Sequence, residues 1–153
     1  MIDPHHSSRA RVNPRYRYQL THSFADRRRE TASMRHRYPQ CVPVVCEPDM
    51  GIAPSDAGLL TGRHRLQREL DRAKFLVPTE ASIQQLLLLL RSRLLLEAEQ
   101  AVFLFVDNEL PPSCACIGDI YAQRKDDDGF LYMTYSIEST YGAKLPRGHA
   151  PWM

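Results

Sequence analysis

Hydrophobic residues recur at helical spacing in the leucine-dense segment of residues 83–96. The repeating positions fall three or four residues apart, with polar residues between them: Ile83, Leu86, Leu87, Leu90 and Leu94. Leucine is unbranched at Cβ and favours a helix, whereas β-branched and aromatic residues cluster outside this segment. The pattern therefore predicts a central helix that is too apolar to be solvated on most of its sides.

Apolar segments on both sides of this helix predict four strands, at residues 41–47, 74–77, 102–106 and 130–135. Along the first strand, Val42, Val44 and Cys46 share one face because side chains alternate between the faces of a sheet. The third segment is apolar throughout, which predicts a fully buried strand. The chain is expected to lose regular structure from Ser136 onward.

Weaker patterns place the remaining elements. A weakly amphipathic helix is predicted to begin near Ser23 and to end before Tyr38-Pro39, because the residue ahead of a proline is pushed out of the α region. Residues 117–121 predict a short helical turn, and residues 126–129 are typical of a hairpin turn that closes at a glycine. Residues 48–69 predict a long loop.

This order of elements predicts an α+β fold, in which one helix crosses a four-stranded mixed sheet. We expect a ubiquitin-like β-grasp roll over residues 23–142 with an N-terminal helical extension. Residues 1–22 lack periodicity and are predicted to form a basic, disordered extension, and residues 143–153 a C-terminal tail.

Charge is distributed unevenly along the chain. Nine arginines and no lysine lie in residues 1–37, against three acidic residues, although the net charge of the whole chain is only +2. Such a basic segment suits acidic partners such as anionic lipid, acidic peptides, tubulin-like surfaces or RNA. For residues 1–20, a solvated and disordered arginine-rich tail is the preferred interpretation.

The sequence contains neither a secretory signal nor an apolar run long enough to span a membrane. A cytoplasmic protein with reduced cysteines is therefore expected. Cys114-x-Cys116 is not a usual zinc spacing and no histidine accompanies it, so no metal site is predicted. No Gly-rich phosphate loop or metalloprotease motif is present, and an enzyme that uses Cys114 or Cys116 is the least favoured function.

Eight stretches in register resemble the autophagy-related ubiquitin-like modifiers, a family that includes microtubule-associated protein light chain three and the GABA-receptor-associated protein. The matching stretches are Phe24-x-x-Arg27-Arg28, Arg35-x-x-Tyr38-Pro39-x-x-Val42-Pro43-Val44-Val45, Leu70-Asp71-x-x-Lys74-Phe75-Leu76-Val77-Pro78, Arg91-x-Arg93, Phe103-x-Phe105-Val106, Leu110-Pro111-Pro112, Asp128-Gly129-Phe130-Leu131-Tyr132-Met133-x-Tyr135-Ser136 and Glu138-Ser139-x-Tyr141-Gly142. Each motif alone is weak, but together they are highly specific.

The resemblance implies a modifier with no catalysis and no cofactor of its own. A cysteine protease of the family would cleave after Gly142, and activating and conjugating enzymes would join its carboxylate to phosphatidylethanolamine. A glycine suits this role because it has no Cβ to clash in a protease cleft or a thioester. The protein is then expected in the cytoplasm and, lipid-anchored, on autophagosome membranes.

The resemblance also implies a groove for aromatic-x-x-aliphatic motifs of cargo receptors, bound by addition of a strand at residues 74–77. The residues that match the family's aromatic pocket are Glu30, Met34, Pro43, Val45, Arg72, Lys74, Leu76 and Phe130. Those that match its aliphatic pocket are Phe75, Val77, Pro78, Leu86, Leu89 and Leu90. Arg93 matches a base that meets acidic residues of the motif. For Leu86 and Leu90, ordinary core packing is as good an interpretation as a ligand role.

Departures from the family leave alternatives open. Residues before Phe24 do not match its usual first helix, which leaves a contact with tubulin undecided, and Ala81 replaces a larger apolar residue, which predicts a shallower second pocket. An unconjugated peptide-binding paralogue is one alternative. A basic protein that binds RNA or an anionic surface is another, although the arginine-rich segment lacks an RNA platform beyond Tyr16 and Tyr18, and no specific nucleic acid is expected.

Overall fold

The computed structural model describes residues 16–49 and 69–139. Within these ranges the chain forms four helices and four strands. In chain order they are α1 (Arg17–Thr21), α2 (Phe24–Arg37), β1 (Cys41–Pro48), β2 (Lys74–Pro78), α3 (Ile83–Arg93), β3 (Gln100–Phe105), α4 (Ile117–Arg124) and β4 (Leu131–Ser139).

The four strands form one mixed sheet in the order β2-β1-β4-β3. β1 and β4 are parallel neighbours in its centre, and each has an antiparallel partner on its outer side. Val44 of β1 lies opposite Phe75 on β2 and Leu131 on β4, so its side chain is fully enclosed. The predicted α+β, ubiquitin-like β-grasp fold is confirmed.

The central helix α3 packs on one face of this sheet. Its first turn is closed by a capping box, in which the Ser82 hydroxyl accepts the Gln85 N–H at 3.2 Å and the Gln85 side chain accepts the Ser82 N–H at 2.9 Å. Ile83, Leu86 and Leu90 point into the core, whereas Leu88 remains 60% exposed. The predicted helical repeat therefore marks the buried face correctly.

Helices α1 and α2 cover the opposite face of the sheet. A second, smaller core lies there, built from Tyr18, Val45, Phe130 and Tyr132. The alternation predicted for β1 is confirmed, because Val44 belongs to the core under α3 and its neighbour Val45 to the core under α1. The sheet thus separates two apolar layers, and β2 lies at the edge between them.

A buried ion pair fastens α2 to the turn before β4. Arg27 pairs with Asp128, whose side chain is fully buried and also accepts hydrogen bonds from the Tyr132 hydroxyl and, at 2.8 Å, from the Phe130 N–H. At Gly129 the backbone φ is +92°, and a Cβ there would lie 2.5 Å from the Thr31 hydroxyl oxygen. Glycine is therefore required both by the turn and by the close approach of α2.

The structure differs from the sequence-based expectation at the N-terminus. Residues 17–21, placed in a disordered extension, form helix α1, and Tyr18 is only 7% exposed. The cause is tertiary: the buried carboxylate of Glu47 accepts the backbone N–H groups of Arg17 at 2.9 Å and of Tyr18 at 2.8 Å. A carboxylate from another element satisfies the first turn of this helix, so no local pattern reveals it.

Three further expectations need correction. β3 is an edge strand in which only Leu104 is fully shielded, so the prediction of a fully buried strand was wrong. β4 continues to Ser139 because it pairs with β3 as far as Gln100, beyond the point where order was expected to fade. The turn at residues 126–129 exists but joins α4 to β4 rather than two strands.

Parts of the prediction lie outside the described residues. These are residues 50–68 of the long loop, residues 1–15 of the N-terminal extension, Gly142 and the C-terminal tail. Among the described helices, none has the length and apolar character needed to cross a membrane. The four cysteines form no disulfide in the described part of the chain.

Candidate functional site: a strand edge between two pockets

The outer edge of β2 carries backbone groups that no described strand uses. The Cys46 N–H donates to the Ala73 carbonyl at 2.8 Å, and the Thr79 N–H donates to the Gln40 carbonyl at 2.9 Å. The odd-numbered residues of this segment therefore turn their N–H and C=O groups toward β1. It follows that the backbone groups of Lys74 and Leu76 point away from the sheet, toward the open edge.

Side chains of β2 alternate between the two apolar layers. Phe75 and Val77 are 8% and 4% exposed and belong to the core under α3. Lys74 and Leu76 lie on the other face, opposite Val45 and Pro43 of β1. The two faces of the β2 edge therefore border different apolar layers.

The pocket on the α3 face is an open cavity of about 510 Å³. It is lined by Val77, Pro78, Glu80, Ala81, Gln85, Leu86 and Leu89. Four of the six residues predicted for the aliphatic pocket are among them, whereas Phe75 and Leu90 are buried in the core and do not line it. Ala81 lies in the wall of this open cavity, and the expectation that its small side chain makes the pocket shallower than in the family stays a prediction.

The region predicted for the aromatic pocket, here the first pocket, lies on the α2 face and is filled by charged and aromatic side chains. Lys74 forms an ion pair with Glu30, and the Tyr18 hydroxyl donates a hydrogen bond to the same carboxylate. Beneath them Val45 and Phe130 have no exposed surface. The predicted residues Met34, Pro43 and Leu76 lie around this pocket on α2, β1 and β2, and Met34 packs against its core.

Neighbouring side chains stabilise the charged form of Glu30. Burial raises the pKa of this carboxyl, but hydrogen bonds from Lys74 and Tyr18 outweigh burial and hold the pKa below its usual value. Burial, followed by the hydrogen bond to Glu30, raises the pKa of Tyr18 well above its usual value. The charged form of Glu30 and the protonated form of Tyr18 are therefore both favoured where the two side chains meet.

The remaining predicted bases lie at the rim. Arg72 is exposed just before β2. Arg93 lies 3.9 Å from Asp71, and its guanidinium carbon is 5.4 Å from the centroid of the Phe75 ring. Both bases therefore lie beside β2 or just before it.

The sequence analysis missed Tyr18, whose side chain contacts Glu30, Lys74 and Phe130 of the first pocket. The only local signal was the pair Tyr16-x-Tyr18, two aromatic residues in an otherwise polar segment. The structure stacks Tyr16 on Tyr132, with ring centroids 4.6 Å apart, and sets Tyr18 edge-on against Phe130 at 5.3 Å. The sequence analysis also missed Glu80 and Gln85, which line the second pocket. Polar residues near the start of a helix are common and do not indicate a pocket.

Comparison with known proteins identifies the family to which this chain belongs. The sequence model of the family described as "Autophagy protein Atg8 ubiquitin like" matches residues 26–142. This chain belongs to the Atg8 family. Within that family, autophagy-related protein 8 of Coccidioides immitis (strain RS) is 38% identical over 128 residues, which cover 84% of this chain and 98% of that protein.

Other Atg8 proteins agree with this assignment. Autophagy-related protein 8 of Schizosaccharomyces pombe is 37% identical over 124 residues, which cover 81% of this chain and 92% of that protein. The crystal structure of Trypanosoma brucei ATG8 superposes with a TM-score of 0.68 at 38% identity, and covers 84% of this chain and 100% of that one. The chain is thus an Atg8-family, ubiquitin-like protein of autophagy.

Proposed function

We propose that this Atg8-family protein is a lipid-conjugated modifier that binds aromatic-x-x-aliphatic peptides of cargo receptors and adaptors at the edge of β2. A cysteine protease exposes Gly142, and activating and conjugating enzymes join it to phosphatidylethanolamine on autophagosome membranes. The unconjugated protein is cytoplasmic. The observation that carries the peptide-binding role is the outer edge of β2, where the backbone groups of Lys74 and Leu76 face no described strand and an open cavity lies beside Val77.

The spacing of the motif fits this geometry. In an extended peptide, side chains separated by three positions point to opposite faces, because the strand period is two. The two pockets also lie on opposite faces of the sheet, one beside Leu76 and the other beside Val77. One extended peptide can therefore fill both pockets while its backbone pairs with Lys74 and Leu76.

The second pocket offers the sharper test of this proposal. Leu89 is 40% exposed and lines the cavity, whereas its neighbour Leu88 is 60% exposed and does not line it. We expect Leu89→Ala to weaken binding of an aromatic-x-x-leucine peptide by more than about 1 kcal/mol, which is roughly fivefold in Kd, and Leu88→Ala to leave it unchanged. Isothermal titration measures both variants. Equal affinities would reject the groove.

Processing at Gly142 is tested separately, since this residue lies outside the described part of the chain. We expect Gly142→Ala to keep the full-length mass in cells and to remain outside the membrane fraction. Gly148→Ala, a glycine change within the tail, should be processed and lipidated normally. Intact-mass spectrometry of both variants checks this result. Peptide binding by a wild-type protein that still ends at residue 153 would instead identify an unconjugated peptide-binding protein.

A further inference from the structure

Tyr18 occupies the pocket in which an aromatic ligand side chain is proposed to bind. Its ring meets Phe130 edge-on, with centroids 5.3 Å apart and an angle of 77° between the planes. The Lys74 ammonium lies 5.6 Å from the centre of the same ring, and the hydroxyl donates to Glu30. Three of the eight residues predicted for the aromatic pocket are therefore already in contact with a side chain of this protein.

The element that carries Tyr18 is short, and contacts with other elements hold it in place. α1 has five residues, and its first N–H groups are satisfied by one carboxylate, that of Glu47. An open cavity of about 210 Å³ borders α1 and is lined in part by Arg17, Tyr18, Glu47 and Leu70. A helix of five residues is a small unit that can open locally while the rest of the sheet stays folded.

We propose that Tyr18 is an internal competitor of the peptide ligand, and that an aromatic side chain enters the first pocket only when Tyr18 and α1 leave it. This inference rests on the proposed peptide-binding function and adds its regulation. The second pocket contains no residue of α1, so it is open to ligand whether or not Tyr18 is displaced. A peptide whose aromatic position is alanine therefore binds weakly but independently of α1.

Two variants that release α1 test the competition. Tyr18→Ala removes the competing ring, and Glu47→Gln removes the charge that caps α1 while keeping the shape of the side chain. Both should tighten binding of an aromatic-x-x-leucine peptide, by about tenfold if the pocket is free in roughly one molecule in ten. Neither should change the affinity for an alanine-x-x-leucine peptide. Glu138→Gln, which neutralises an exposed carboxylate on β4, is the matched control and should leave both affinities unchanged.

A measurement on the unmodified protein covers the case in which a variant folds poorly. The N–H groups of Arg17 and Tyr18 are hydrogen-bonded to Glu47, so their hydrogen exchange reports whether α1 is docked. Saturation with the aromatic peptide should accelerate exchange at these two amides, and the alanine peptide should not.

The outcomes separate this inference from the function on which it rests. If Tyr18→Ala weakens the aromatic peptide, or if the two amides stay protected in its complex, Tyr18 is a wall of the pocket and the competition is overturned while the groove stands. If no peptide binds to the wild-type protein or to either variant, the groove itself is rejected, and the competition with it.

Discussion

At the scale of single residues, the charged side chain of Asp128 connects three parts of the structure. It is fully buried, and it accepts hydrogen bonds from α2, from β4 and from the backbone of its own turn. Its partner Arg27 is itself mostly shielded, with 11% of the side chain exposed. Removing the carboxylate would leave that guanidinium buried without a counter-charge.

Asp128→Ala is therefore expected to lower the free energy of unfolding by about 3–5 kcal/mol. The neighbouring Asp127 is exposed, so Asp127→Ala should change it by no more than about 0.5 kcal/mol. Urea denaturation of both variants gives the comparison. Similar stabilities for the two would mean that the buried ion pair contributes little to holding α2 on the sheet.

At the scale of elements, the accuracy of a sequence-based prediction depends on where the stabilising contacts come from. α3 could be predicted because its apolar repeat and its capping box both lie within the eleven residues of the helix and its N-cap, Ser82. α1 could not, because its cap comes from Glu47 on β1 and its packing from Phe130, the residue just before β4. The apolar run of β3 resembled a central strand, but its place at the sheet edge is decided by pairing with β4 alone.

The same reasoning applies to the candidate site. The residues of β2 could be placed by alternation and resemblance, and the structure puts them at an open edge as expected. The side chain that fills the first pocket could not be found in this way. Tyr18 reaches the pocket from a helix with no amphipathic pattern of its own, 56 residues before Lys74 in the chain.

Two leucines of α3, two positions apart, provide a test at this scale. Leu90 is fully buried in the core and Leu88 is 60% exposed, although both belong to the same apolar run. We expect Leu90→Ala to cost about 2–5 kcal/mol of stability through lost burial and a residual cavity, and Leu88→Ala to cost no more than about 0.5 kcal/mol. Thermal and urea unfolding measure both. The reverse order would mean that α3 presents a different face to the sheet.

At the scale of the whole molecule, both apolar layers contain acidic groups that burial keeps protonated. Burial, followed by a hydrogen bond to Asp128, raises the pKa of Tyr132 above its ordinary value of 10.0. Burial likewise raises the pKa of Tyr135 and, from an ordinary value of 9.0, the pKa of the Cys46 thiol. These groups retain their protons in the folded protein at a pH at which the unfolded chain releases them.

The stability of the protein should therefore fall in alkali. Above about pH 9 the folded state binds more protons than the unfolded chain, so the free energy of unfolding decreases as pH rises. Below that pH the contribution of these buried groups to stability is fully present. Urea midpoints measured between about pH 8 and pH 11 test this expectation. Tyr132→Phe should show a shallower decline than Tyr38→Phe, which changes a tyrosine that is 52% exposed. A midpoint that stays constant over this range would contradict the prediction.

The central position of β4 has a mechanical consequence. This last strand pairs with β1 from Leu131 to Tyr135 and with β3 from Thr134 to Ser139, and it ends three residues before Gly142. If the protein is anchored at that glycine while a cargo pulls on the edge of β2, tension enters β4 where this strand pairs with β3 alone. The force reaches the pairing with β1 only at Tyr135, and it then crosses β1 to arrive at β2.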